Sequence, residues 1–458
     1  MNVLILSAIS GVIMMFSSFF IKSKGSIRIL AHVLLLAILA ANVLELEGIR
    51  FFEIDTSGMM VFNRFALLFT LIANACTFLF FLLSSKDMER VGINYSDYFA
   101  LIFFILAGIT LTSSFVSLLI LFLGIEIISI PLYILAGSDK RNLKSNEASL
   151  KYFLMGAFST GLMLMGIALV YGATGTFTTT AMSITGEGGV PVLFMAGLMM
   201  LLFSMSFKVS AAPFHFWTPD VYDGSPTVFT SFMSTVVKAA GFIAFLRLFA
   251  DAFGDIREEW KILVAIIAAA TLFVGNITAV FQQSVKRMLA YSSIAQAGFM
   301  MLAVYSLNAD ARDGLILYAA AYSIATISIF AVLIKMGDYT FDGFNGFARQ
   351  QPLLAGTLVV FLLSLAGIPL TAGFLSKFYM LRAALYGGAV WLVIFAVIMA
   401  AVSVYYYFRL IQAMYFKEGV ADTVIEVTPG FKFALVTMAG LTILLGVYPS
   451  LLINWLYF

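Results

Sequence analysis

The chain has 458 residues, 62% of them hydrophobic and only 11% charged, with a formal net charge of +2. Soluble domains carry about a quarter charged residues, so this composition excludes a soluble globular protein. The lone cysteine, Cys76, allows no internal disulfide and no iron–sulfur cluster, which takes about four ligands. The two histidines, His32 and His215, lie far apart, which argues against a bis-His haem or a zinc site. Phosphate-binding loops and dinucleotide fingerprints are missing from the sequence. Neither a redox centre nor nucleotide hydrolysis is expected in this chain, and no nucleic-acid partner.

Apolar stretches long enough to cross a bilayer, about 20 residues each, recur along the whole chain. Fourteen candidate spans cover residues 3–21, 29–46, 61–83, 98–114, 115–137, 149–173, 191–213, 227–250, 261–281, 287–307, 314–336, 353–386, 389–416 and 432–456. The first is long for a signal-peptide core, follows no basic residue and precedes no small-residue cleavage site, so it reads as a retained span. The fourth and fifth are nearly continuous and divide at residues 112–115. Four units follow: three spans in residues 1–97, a five-helix unit in 98–250, a second in 261–416, and a last span in 417–458.

The charges support the count. Basic residues concentrate in alternate loops: Lys22, Lys24 and Arg28; Lys86 and Arg90; Lys140, Arg141, Lys144 and Lys151; Lys286 and Arg287; Lys335 and Arg349; Arg409, Lys417 and Lys432. That places 16 of 26 basic residues on one side, the cytoplasmic side by the positive-inside rule. The opposite loops hold Arg50, Arg257, Lys261 and Arg312 but many acids, among them Glu45, Glu53, Glu187, Asp255 and Asp310. Both termini are then expected on the outer face.

Two spans carry helix breakers. The seventh runs into KVSAAPFHFWTPDVYDGSP, with Pro213 and Pro219, and the twelfth contains SLAGIPLTAGFLSKF, with Gly367, Pro369 and Gly373. Proline removes a backbone donor and clashes with the preceding turn. Hydrocarbon cannot satisfy the freed carbonyls, so such breaks persist only inside protein or beside a hydrated cavity. The breaks are five spans apart, an odd offset that reverses direction across the membrane, as inverted five-helix repeats require. Lys208 precedes the first break and Lys377 follows the second, which agrees with inversion. Two ordinary proline kinks are the simpler alternative.

Four ionisable residues fall deep in apolar segments. Glu126 in SLLILFLGIEIISIPLYIL and Lys238 in TVFTSFMSTVVKAAGFIAFL each sit eleven residues into their spans, at a depth of ~16 Å. Lys208 and Lys377 flank the breaks. A charge at that depth costs roughly 3 kcal/mol on insertion scales. Burial disfavours an ammonium ion and a nearby carboxylate favours it, so a buried lysine beside a glutamate forms a coupled pair that can load and unload a proton. Arginine, always charged, could not. The alternative is a set of structural ion pairs. Lys151 starts its span and either joins the row or snorkels to the interface. Lys335, Arg247, Arg382 and Arg409 lie near helix ends and read as snorkelling. His215 is either a relay to water or a packing residue. The run Tyr405, Tyr406 and Tyr407 reads as an interfacial belt.

The stretches GIEIISIPLYIL, EASLKYFLMGAFSTGLMLMGIALVYGATGT, FKVSAAPFHFWTPDVYDGSP, VKRMLAYSSIAQAGF and LAGIPLTAGFLSKFY closely resemble subunit N of NADH-quinone oxidoreductase, an antiporter-like membrane subunit of respiratory complex I. The resemblance runs from about residue 60 to 415. It implies an all-α polytopic membrane protein of about fourteen transmembrane helices, with two inverted five-helix repeats and two broken helices. Glu126 then matches the essential glutamate of the fifth helix, paired with Lys208 of the broken seventh. Lys238 matches the central lysine of the eighth, Lys377 the lysine of the broken twelfth, and Lys151 a further lysine of the sixth. NADH, FMN, iron–sulfur clusters and quinone are expected in partner subunits only. The partners implied are other membrane-arm subunits, including neighbouring antiporter-like ones, in a bacterial-type inner membrane. Gln296 stands where relatives often carry histidine, and it cannot titrate. Other readings are the D-type component of a multi-subunit sodium/proton antiporter, a non-conducting scaffold, and a free-standing solute transporter.

The expected route takes protons from the cytoplasmic side to Glu126 and Lys208, on by way of Lys238 to Lys377, and out. Export works against about 2.3 kcal/mol per proton per 100 mV, so a partner must supply the energy.

Overall fold

A computed structural model describes residues 1–182, 189–419, 421 and 427–457; Glu187 lies outside them. The described chain is nearly all helical. Its helices are α1 (Asn2–Phe20), α2 (Lys24–Leu46), α3 (Arg64–Ser84), α4 (Tyr95–Ser114), α5 (Leu118–Ala136), α6 (Leu143–Thr174), α7 (Val192–Lys208) and α8 (Trp217–Gly224). There follow α9 (Thr227–Ala252), α10 (Arg257–Val280), α11 (Val285–Ser306), α12 (Ala309–Leu333), α13 (Pro352–Ala366), α14 (Ala372–Tyr386), α15 (Val390–Phe416) and α16 (Pro429–Val447).

Among the described residues, twelve helices are long and apolar enough to cross a membrane. The two segments with internal breakers supply none of the twelve, because each is divided into shorter pieces. The seventh span ends at Lys208 after 17 helical residues, and the twelfth is split into two helices of 15. The segment 353–386, expected as a broken helix, is two half-length helices, α13 and α14, on either side of residues 367–371.

Burial sorts the helices. The apolar window of α12 is 100% buried, with α11 and α9 close behind, whereas α1, α2, α6, α15 and α16 bury only 33% of theirs. The first three form the centre of the bundle, and two of the buried ionisable positions contact them. The outer helices keep large apolar side chains such as Phe19, Ile29, Phe158 and Phe433 exposed, as helices facing lipid or another membrane subunit do.

The chain separates α4 from α5 at residues 115–117 with its backbone groups satisfied. Val61 N–H donates to Ser114 O, and Leu118 N–H donates to Phe177 O. Arg247 closes the gap, its guanidinium donating to Ser113 O and, at 2.8 Å, to Phe115 O. Arg247 is therefore a buried carbonyl clamp and not a snorkelling residue. Lys335 is corrected in the same way: it is 7% exposed and its ammonium lies 2.6 Å from Asp87 Oδ2. That ion pair, with Arg28–Glu89 at 3.4 Å, brings the first, third and eleventh loops to one side of the bundle. Arg382, with Asp310, and Arg409, which donates to Gln282 O at 2.7 Å, are part-exposed at helix ends, as expected.

Candidate functional site

The first break follows α7 directly. Lys208 is the last residue of that helix, and Ser210 then takes a left-handed φ of 65°. The helix end is held by Trp217, whose Nε1 donates to Phe207 O at 3.1 Å, and by Thr271, whose hydroxyl accepts from Ala212 N–H at 2.8 Å. Lys208 thus carries its charge at a helix C-terminus, the end that favours cations. Its ammonium donates to Ser129 Oγ at 3.0 Å and Thr160 Oγ1 at 3.3 Å. Thr160 Oγ1 lies 2.8 Å from Glu126 Oε1 and donates to it. Glu126 and Lys208 are consequently joined through the Thr160 hydroxyl, with no direct salt bridge between them. Ser129 follows Glu126 by three residues on α5, hence on the same face. Thr160 comes from α6, and only its being a hydroxyl within an apolar span could have pointed to it.

Lys238 sits where α9 changes its winding. Met233–Val237 forms one π-helical turn, a device that lets a side chain leave the regular helical register. The residue is 2% exposed, and its ammonium donates to Ser293 Oγ at 2.9 Å and Ser293 O at 3.1 Å and lies 5.6 Å from the centre of the Tyr222 ring.

The second break puts α13 and α14 end to end. Gly367 ends α13 with a φ of 85°, a left-handed conformation that favours glycine. A Cβ there would lie 2.9 Å from the Lys377 side chain. Gly373 lets the start of α14 run against α13, since a Cβ would fall 1.9 Å from Ser364 O. The last carbonyls of a helix have no partner within it. Lys377 supplies one, donating to Leu365 O at 2.7 Å and Ala366 O at 3.1 Å, with its ammonium 4.7 Å from the Phe299 ring centre. Lys208 and Lys377 are thus both placed at the C-terminal end of the first half of a broken segment, one from that half and the other from the opposite half.

Gln296 ties this break to α11. Its Nε2 donates to Leu365 O at 3.0 Å and Tyr407 Oη at 3.1 Å, and Tyr318 donates to its Oε1. Ser293, which holds Lys238, is one turn before Gln296 on the same face of α11. A cavity of about 10 Å³ lined by Gln296, Tyr318, Tyr322 and Lys377 is about the size that one water occupies. Tyr406 and Tyr407 are fully buried; only Tyr405 lies on the surface, so the belt reading is corrected for two of the three. A tyrosine run on a helix places successive rings about 100° apart, and burial decides which of them is interfacial.

Lys151 lies elsewhere. Its helix begins at Leu143, capped by Asn142, so the residue is well inside α6 and not at its start. Polar helix formers extend a helix beyond the hydrocarbon, which hydropathy cannot register. The ammonium pairs with Glu147 at 2.8 Å and Asp220 at 3.0 Å, and Asp220 in turn pairs with Arg287 at 3.1 Å. His215 lies in the turn between α7 and α8, buried, with no hydrogen-bond partner for its Nδ1 among the described residues. Sequence reasoning placed Lys286 among loop charges. It is buried and donates to Asp223 O at 2.8 Å and Ser225 O at 2.7 Å, closing the end of α8.

Interrupted helices with a lysine seated at each break, Lys208 half-buried and Lys377 buried, define the class of membrane protein that handles ions within the bilayer. The family described as NADH:quinone oxidoreductase/Mrp antiporter, transmembrane, matches residues 115–403. NADH-quinone oxidoreductase subunit N of Trichlorobacter lovleyi is 40% identical over 95% of this chain and 90% of its own length. The subunit N of Cytophaga hutchinsonii is 39% identical over 99% of both. A chain in the structure of respiratory complex I from Thermus thermophilus with bound aureothin superposes with a TM-score of 0.85 at 33% identity, covering 99% of this chain and 98% of that one. The chain belongs to the subunit N family of NADH-quinone oxidoreductase within that wider group.

Proposed function

We infer that the chain is a proton-translocating membrane subunit of a respiratory NADH-quinone oxidoreductase, seated in the membrane arm beside other antiporter-like subunits. Relatives of that name match it along nearly its full length. Electron transfer from NADH through FMN and iron–sulfur clusters to quinone belongs to the partner subunits and supplies the energy. The wider family's description also names Mrp antiporters; the near full-length matches at 38–40% identity favour the oxidoreductase.

Glu126, Lys208, Lys238 and Lys377 form the proton row, and one observation carries this reading. The three lysines, on three different helices, are each held by hydroxyls or carbonyls, and among the described residues none pairs directly with a carboxylate. A lysine locked in a tight ion pair is costly to deprotonate, whereas hydroxyl and carbonyl partners serve both the ammonium and the amine. Ser206 and Ser210 beside Lys208, and Tyr322 and Thr326 on α12, are buried hydroxyls without a partner among the described residues. Such groups normally bond to ordered water, and water there would complete the gaps between lysines. Lys151, with Glu147, Asp220 and Arg287, forms the approach from the basic side.

The finer architecture belongs to the same proposal. Fourteen spans result when α7 with α8, and α13 with α14, each count as one broken crossing. Residues 98–250 and 261–416 are then the inverted repeats, after three spans in 1–97 and before a last one in 417–458, and both termini lie on the periplasmic face. Replacing Lys208 with alanine abolishes NADH-driven proton transport while the complex still assembles, as read by fluorescence quenching in inverted membrane vesicles. Normal transport by an assembled Lys208→Ala complex overturns the row.

A further inference from the structure

We propose that the cavity between the start of α2, the turn joining α3 to α4, the end of α12 and the start of α16 binds the phosphate headgroup of an anionic phospholipid. Its volume is about 560 Å³, and none of Glu126, Lys208, Lys238 or Lys377 lines it. Arg28, Lys86, Arg90 and Lys335 line it against one carboxylate, that of Asp87. Asp87 is taken by Lys335 at 2.6 Å, and Arg28 leans on Glu89 at 3.4 Å. Lys86 and Arg90, at either end of the single turn Asp87–Arg90, have no carboxylate partner among the described residues. Among the described residues, the cavity therefore keeps a cationic surplus over its carboxylates.

Its position points to lipid. Arg28 lies four residues into α2, Lys86 and Lys335 each lie two residues past the ends of α3 and α12, and Thr428 caps α16. These are all helix ends on the side that holds 16 of the 26 basic residues. The positive end of the 19-residue α16 adds to the same field. The walls below the cations are apolar: Leu82, Leu83, Phe431 and Ala434 line the cavity, and Leu82 is 47% exposed. Basic pockets between transmembrane helices that also offer acyl-chain contacts suit anionic lipid headgroups. A free anion has no use for the apolar wall.

The test uses membranes carrying the assembled complex, a photoactivatable phosphatidylglycerol and peptide mapping of the label. Label is expected on peptides that carry Leu82 and Phe431, and it should saturate. Unlabelled phosphatidylglycerol competes and phosphatidylcholine of the same chains does not. The double variant Lys86→Ala with Arg90→Ala raises the half-saturating mole fraction roughly 30-fold, from the loss of two cations near the headgroup. Equal competition by phosphatidylcholine overturns the proposal in the unaltered protein, whatever the variant does. Unchanged saturation in the variant overturns it as well. Displacement of the probe by millimolar inorganic phosphate would mark a free-anion site instead.

Discussion

The two breaks solve one problem with different partners. At the first, Lys208 meets only hydroxyls, and a carboxylate stands one hydroxyl away. At the second, Lys377 meets two carbonyls that have no partner within their helix, one of them shared with Gln296, and pairs with no carboxylate among the described residues. A hydroxyl can donate or accept, so it can rearrange when either neighbour changes charge. Both lysines sit at a helix C-terminus, so the difference lies in the partner: a carbonyl only accepts and has no second arrangement to offer when the charge changes. The first break is therefore suited to switching and the second to holding. On the proposed row, two sites that differ in this way respond unequally when a neighbour's charge changes.

The sharpest way to break this comparison is to fix the charge at each lysine. Lys208→Arg and Lys377→Arg keep a cation but cannot release a proton. Both should reduce NADH-driven proton transport by at least ~10²-fold, the scale of a lost acid–base group, with assembly retained on native gels. Full transport in Lys377→Arg would leave the second break as a purely structural cation site. Next in size is Thr160→Val, which removes the hydroxyl between Glu126 and Lys208. Transport should fall about tenfold, for ~1.4 kcal/mol of lost coupling, and Thr160→Ser should restore most of it. Equal rates in the valine and serine variants would mean that the two charges communicate by another route.

Gly367→Ala probes the second break through its backbone. The left-handed conformation costs a non-glycine residue about 1–2 kcal/mol, and the new methyl would press on the Lys377 stem, 2.9 Å away. A lowered thermal midpoint of the assembled complex, together with impaired transport, is expected. A stable variant with normal transport would show that the position of Lys377 at the helix end is not needed.

Much of this was legible in the sequence. Hydropathy and breakers located the helices and both interruptions, depth within a span singled out Glu126 and Lys238, and nearness to a break singled out Lys208 and Lys377. The partners were not legible, for two physical reasons. Serine and threonine are cheap to place in transmembrane helices, where they bond to their own backbone, so Ser129, Thr160 and Ser293 carry no compositional signal. Carbonyl partners such as Leu365 O and Ala366 O have no residue identity at all. Arg247 and Lys335 were misjudged because nearness to a helix end says nothing about which carbonyls or acids another loop brings to that end. The tyrosines were misjudged because a run in sequence points in several directions on a helix.

The smallest expected effect concerns Tyr407 and asks whether the second break reaches beyond the backbone. Its hydroxyl accepts from Gln296 Nε2 at 3.1 Å and contacts Ser292 Oγ, while Gln296 keeps its bond to Leu365 O. Tyr407→Phe deletes one member of this network and leaves buried polar groups short of a partner, at a cost of about 1–3 kcal/mol in stability. Because Lys377 does not touch Tyr407, proton transport should fall by less than about threefold, against a 1.4 kcal/mol scale for each factor of ten. Thermal unfolding and transport measured on the same preparation separate the two effects. A stability loss with near-normal transport fits a break held by carbonyls. A larger loss of transport would place the Tyr407 hydroxyl in the path, and the second break would then resemble the first in relying on side chains that can turn over their hydrogen bonds.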